Sequence, residues 1–272
     1  MKFAPIQIAL TTVLALSGAA FAQTAAPAAP AAPAAEASPL SFNIGLTSNY
    51  KYRGQDQDTS RTSGFKPALQ GGVDYAFASG FYLGNWNSTV GFIDPDVANT
   101  TNKRARLEMD FYGGYKWSVG DWGFDIGALQ YYYPNATKAN TTEVYVGTSY
   151  GPFSAKYSNT VSKGYFGTGY TTNDGRGTQY LNVAFAKEVA PNWTVKAAIG
   201  QTYFTSAVRA GGVPNYTDYS LGASYDLGNG LALGGALQGG TNANNAAFNY
   251  TAGGSTKSLN KNTLIFTLTK TL

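Results

Sequence analysis

From Leu40 onward the chain alternates apolar and polar residues in runs of about ten. In an extended strand successive side chains point to opposite faces, so such a run carries one greasy and one wet face. The clearest case is Arg104–Trp117. There Leu107, Met109, Phe111, Tyr115 and Trp117 alternate with Arg106, Glu108, Asp110, Tyr112 and Lys116. In Phe42–Arg53 the same pattern sets Phe42, Ile44, Leu46, Tyr50 and Tyr52 against Asn43, Thr47, Asn49, Lys51 and Arg53. Further strands are predicted over Lys66–Phe77, Phe81–Phe92, Trp122–Tyr133, Thr142–Tyr150, Phe153–Thr160, Gln179–Lys187, Trp193–Tyr203, Asp218–Leu227, Leu231–Thr241 and Lys261–Leu272. That makes about twelve strands, each near the length that crosses a bilayer when tilted.

The connections have a rhythm of their own. Short turns are expected near Ala78–Gly80, Ser118–Asp121, Gly151–Pro152, Ala190–Asn192 and Gly228–Gly230. Long loops are expected near Gln55–Gly64, Asp94–Lys103, Asn135–Asn140, Val161–Thr178, Ser206–Thr217 and Asn242–Asn260. Tight periplasmic turns alternating with longer extracellular loops mark a bacterial outer-membrane barrel. The predicted fold is therefore all-β, a transmembrane antiparallel β-barrel over residues 40–272. An even strand count puts both ends in the periplasm, and closure is compulsory because an open sheet edge would strand backbone groups in hydrocarbon. Aromatic residues gather at the strand ends. Tyr75, Phe81, Trp117, Trp122, Tyr150 and Trp193 lie near the short turns, and Tyr50, Tyr52, Tyr131, Tyr132, Tyr133 and Tyr203 near the long loops. Two interfacial girdles are expected.

The N-terminus fits this address. Lys2, the apolar stretch Ile6–Ala20 and the small-x-small site Ala20-Phe21-Ala22 make residues 1–22 a secretory signal peptide. Residues 23–39, rich in Ala and Pro, read as a disordered linker. Only 12% of the residues are charged, against about 25% in a typical soluble chain. The net charge of +4 comes without a basic stripe, so no nucleic-acid partner is expected. The expected surroundings are outer-membrane lipid and lipopolysaccharide, and a monomer is expected.

The chain contains neither Cys nor His. This excludes disulfides, thiolate metal sites and every His-dependent triad. No catalytic residue, metal site or cofactor is expected. Ser162-Lys163 is adjacency rather than a dyad, and Gly164–Gly169 opens no helix and so cradles no phosphate. Asp56, Asp58, Asp94 and Asp96 read as solvated turn residues rather than as ligands of a divalent ion.

If the apolar faces meet lipid, the charged faces meet the lumen. The expected pore-lining set is Lys51, Arg53, Arg106, Lys116, Lys156 and Lys196, opposed by Asp74, Glu108, Asp110, Asp125, Glu143 and Asp226. These charges could form a field that orients a polar solute, or pair across strands and plug the interior. Twelve strands lie between small filled barrels and large open ones.

Several stretches resemble the TorF-type porin family of proteobacteria. They are NIGLTSNYKYRG (Asn43–Gly54), KPALQGGVDYAFASGFYLGNWNS (Lys66–Ser88), EMDFYGGYK (Glu108–Lys116), FDIGALQYYYP (Phe124–Pro134), EVYVGTSYGP (Glu143–Pro152) and TDYSLGASYDLGNGLAL (Thr217–Leu233). The Tyr50–Gly54 run is the most specific part. The resemblance implies an outer-membrane barrel of porin type and supplies no catalytic residue. The chain departs from the pattern at its end, where Lys270-Thr271-Leu272 stands in place of a terminal Phe. The expected function is passive diffusion of small polar solutes or ions, with loops such as Val161–Thr178 folding inward to set the bore. A closed structural or surface-interaction barrel and a substrate-specific channel remain the alternatives.

Overall fold

The computed structural model describes residues 38–92, 105–134, 136–166 and 174–272. The expected signal peptide, nearly all of the linker, and Asp94 and Asp96 lie outside the described residues. In chain order the strands are β1 (Leu40–Thr47), β2 (Lys51–Tyr52), β3 (Gln55–Asp56), β4 (Ala68–Ala76), β5 (Phe81–Thr89), β6 (Leu107–Val119), β7 (Trp122–Tyr132) and β8 (Thr141–Tyr150). They continue as β9 (Phe153–Thr160), β10 (Gln179–Ala190), β11 (Trp193–Tyr203), β12 (Tyr216–Gly228), β13 (Leu231–Gly240), β14 (Asn249–Ala252), β15 (Ser255–Ser258) and β16 (Thr263–Thr271). Twelve of them close an antiparallel barrel, and the remaining four make the small hairpins β2–β3 and β14–β15. Closure joins the first strand to the last, with Leu46 opposite Leu268.

The alternation read from the sequence sets the two faces of the wall. Phe42, Ile44 and Leu46 are 46%, 51% and 54% exposed on the outside, while Thr47, next in line, is buried within. Ile199, Leu221, Leu264 and Phe266 are likewise exposed. A continuous apolar belt of this kind is a liability in water and the required surface in a bilayer. At the short-turn end aromatic rings touch along the rim. Trp117 stacks on Phe124 at 5.3 Å, Trp122 meets Tyr150 at 4.9 Å, and Trp193 meets Tyr225 at 5.0 Å. That girdle is as expected.

The girdle expected at the loop end is mostly something else. Tyr132 and Tyr203 are exposed there, but Tyr50, Tyr52, Tyr131 and Tyr133 are buried inside the barrel. The cause is the first strand. Its expected course through Arg53 stops at Thr47, and the chain then reverses at Arg53 and Gly54, whose φ values are 48° and 74°. Two successive positive φ values make the tight mirror-image turn of a hairpin and cannot continue a strand. The chain leaves the wall at Ser48, and β2–β3 lies within the barrel near its loop end. The other eleven barrel strands agree with expectation to within three residues at each end.

Candidate functional site

The lumen is filled unequally. On β5–β8 the inward positions carry bulk and charge: Tyr82, Trp86, Glu108, Asp110, Tyr112, Tyr131, Glu143 and Tyr145, all buried. Large inward rings need space on the neighbouring strand, and glycine supplies it. A side chain at Gly84 would collide with the Tyr112 ring, whose hydroxyl donates to Asp74 Oδ1 at 2.6 Å. On the opposite half, β10–β13 and β16 turn mostly small or neutral residues inward, among them Asn182, Ala198, Ser220, Gly222, Gly234 and Thr267, with Tyr180, Lys196, Tyr216 and Asp218 as the larger or charged exceptions.

The inner hairpin is tied to both halves. Arg53 sits at its tip and donates through Nη2 to Glu143 Oε2 at 2.6 Å and through Nη1 to the Tyr165 hydroxyl at 3.1 Å. Its guanidinium lies 4.0 Å from the centre of the Tyr180 ring, a cation–π contact across the lumen. Burial acts against the Arg53 charge, but Glu143 and the adjoining tyrosines outweigh it and hold the pKa above its ordinary value. Behind the tip, Asp56 is saturated. Lys51 reaches it at 3.1 Å, Lys66 at 2.8 Å, and Asn49 Nδ2 donates to it at 3.0 Å. Lys51 also donates to the carbonyls of Gly54 and Leu259 at 3.0 and 2.7 Å. Burial draws the Lys51 ammonium down to about 8, against the opposing pull of Asp56. Tyr52 hydrogen-bonds Tyr131 and packs on Phe166 at 5.4 Å between ring centres.

A cavity of about 50 Å³ lies beneath the hairpin. Its lining includes Lys51, Arg53, Lys156, Asn182, Asp218 and Ser220. Lys51 is paired with Asp56 and Arg53 with Glu143, so Lys156 and Asp218 are the remaining opposite charges of that lining.

The expected lumen residues divide into groups. Lys51 and Arg53 do lie inside, but on the hairpin rather than on the first strand. Glu108, Asp110 and Glu143 are fully buried on the bulky half. Tyr50 donates to Glu108 at 3.4 Å, while both Asp110 carboxylate oxygens lack a hydrogen-bond partner among the described residues. Towards the short turns, Lys116 is in register with Asp125 and lies 4.4 Å from the Tyr82 ring centre, and Lys156 lies 3.8 Å from that of Tyr145. Tyr82 donates to Asp125 at 2.7 Å. Lys196 is buried on β11.

Two members stand apart. Arg106 precedes β6 and is exposed at the loop end, although it shares the inward face of Glu108. Asp226 is exposed at the short-turn rim, where its Oδ1 accepts the Gly228 N–H at 2.8 Å. Alternation alone assigns a face but no depth. Asp56, read from the sequence as solvated, is buried and triply bonded, whereas Asp58 caps its own turn through Ser60 N–H at 2.7 Å as expected. Sequence reasoning missed Tyr180 and Asp218 as partners in this site, although both share the inward face of their strands.

The matching family model, described as "Bacterial protein of unknown function (Gcw_chp)", spans residues 31–272. The chain belongs to this family. No curated protein matches it in sequence. Among solved structures, the NanC porin superposes with a TM-score of 0.53 at 10% identity, covering 85% of this chain and 97% of its own. A KdgM porin in complex with disordered oligogalacturonate gives a TM-score of 0.49 at 7% identity, covering 85% of this chain and 96% of its own. At such identities the first likeness establishes a shared barrel fold.

Proposed function

We propose that this Gcw_chp protein is a porin-like outer-membrane channel for passive diffusion of small polar solutes or ions. The observation that carries this reading is the inequality of the lumen. One half of the wall carries most of the inward bulk and charge, and the other presents mainly small residues, with Tyr180, Lys196 and Asp218 among them, beside a polar cavity. A barrel filled only for stability has no use for such a division, since bulky residues on both halves pack better. The inner hairpin is the constriction, and Tyr165 and Phe166, which follow β9, brace it.

Residues 1–22 serve export and the chain works as a monomer in this reading, with lipid and lipopolysaccharide around it. Transport rather than catalysis is its task. The finer likeness to TorF-type porins rests on the Tyr50–Gly54 run, which supplies the hairpin itself. The pore-lining residues proposed are Lys51, Arg53, Lys156, Lys196 and Asp218, with Glu108, Asp110 and Glu143 anchoring the wall behind them.

A closed lumen is the second reading, favoured by the small volume under the hairpin. Liposome swelling separates the two. Vesicles containing the full chain should swell in small neutral solutes, and Ala198→Trp, which fills the small-residue side, should slow the swelling. Impermeable vesicles carrying folded protein would establish the plugged barrel instead.

A further inference from the structure

The hairpin that enters the lumen leaves a defect in the wall. The β1–β16 ladder ends where Ser48 N–H donates to the Phe266 carbonyl at 2.8 Å and the Ser48 hydroxyl accepts the Phe266 N–H at 2.9 Å. Beyond it β16 runs on to Thr263, where among the described residues its strand partner is β13 on the other side. Leu264, two residues on, directs its backbone N–H and C=O to the side that β1 has left. Across the gap stands the Thr62–Phe65 segment, and between them lies a cavity of about 530 Å³, within the range of ligand sites.

The lining of this notch is amphipathic. Phe65, Leu264 and Phe266 are 66%, 58% and 58% exposed and continue the lipid-facing belt. Lys257 and Lys261 stand at its outer edge, and Asp56 in its floor is already bonded to Lys51 and Lys66. A notch open to hydrocarbon below and edged with cations above has no use for a purely polar or a purely apolar occupant. An unpaired strand edge in lipid also calls for a polar partner.

We propose that this notch binds a phosphorylated amphiphile of the surrounding outer leaflet. Its acyl chain lies along Phe65, Leu264 and Phe266, and its phosphate meets Lys257 and Lys261. This inference is independent of whether the lumen conducts, because the site is on the wall rather than on the axis.

The test uses the full chain, purified and stripped of lipid in detergent, with bound species counted by native mass spectrometry. Lipid A carrying its phosphates should be retained at one molecule per chain. Lys257→Gln/Lys261→Gln should weaken retention about 30-fold, from the usual contribution of a lysine beside an anionic lipid. Phe65→Ser should weaken it as well, while leaving the heat-modifiable gel shift of the folded barrel intact. Inorganic phosphate at the same concentration should not compete. Equal retention of dephosphorylated lipid A, full retention by the double lysine variant, or displacement by phosphate alone would each overturn the proposal.

Discussion

Arg53 holds a backbone conformation that a non-glycine residue adopts at a cost, and its charge is buried. Both costs are offset by contacts only the folded lumen offers: Glu143, Tyr165 and the face of Tyr180. Removing one partner of a buried pair leaves the other charge stranded. Arg53→Ala should therefore cost about 3–5 kcal/mol, read as a lower urea midpoint for the refolded barrel. Arg53→Met with Glu143→Leu, which removes both charges, should return close to the parent midpoint. A second pair of substitutions tests the two faces of one strand. Ile199 faces out and Ala198 faces in, so Ile199→Lys should cost about 2–4 kcal/mol if it sits near the bilayer midplane. Ala198→Lys should fold as well as the parent and narrow the passage. Equal costs would mean that the faces are reversed.

Twelve strands set the width of the barrel, and in the proposed function the β2–β3 hairpin sets how much of the lumen stays open. The hairpin owes its position to Gly54, at φ 74°, where an added Cβ would stand 2.6 Å from the Gly239 carbonyl oxygen and 2.8 Å from Asp218 Cβ. Gly54→Ala should push the hairpin off the wall without disturbing the ladders, raising permeability while the heat-modifiable gel shift stays. Loss of folding would show the hairpin to be part of the barrel's stability rather than a device within it. This element was also the least legible in the sequence. Residues Phe42–Arg53 alternate well enough to pass for one long strand, yet the wall strand ends at Thr47 and the chain reverses through the positive φ of Arg53 and Gly54. Arg is an unusual residue for that conformation, so composition gave no warning. The other strands were legible because lipid on one side and water on the other enforce a strict period of two. The same rule assigned Glu108, Asp110 and Glu143 to the inside. It could not give the depth of Arg106 or Asp226, nor foresee that Tyr131 and Tyr133 leave the interface for the core.

At the scale of the whole molecule, the barrel joins a uniform outer surface to a divided interior. Around the cavity the charges nearly cancel: Lys51 is paired with Asp56 and Arg53 with Glu143, and the lining adds one cation, Lys156, and one anion, Asp218. Ion selectivity should accordingly be weak, with a reversal potential near zero across a potassium chloride gradient, and Lys156→Glu should shift it towards cations. A strongly selective parent would contradict this lining. In the proposed function the half-filled lumen conducts and the hairpin limits it. Single-channel recording in a planar bilayer tests this most directly, comparing the full chain after removal of residues 1–22 with its Gly54→Ala variant. Discrete current steps are expected from the parent and larger steps from the variant. Silence from both, in protein shown to be folded, would contradict it and make the barrel a closed one.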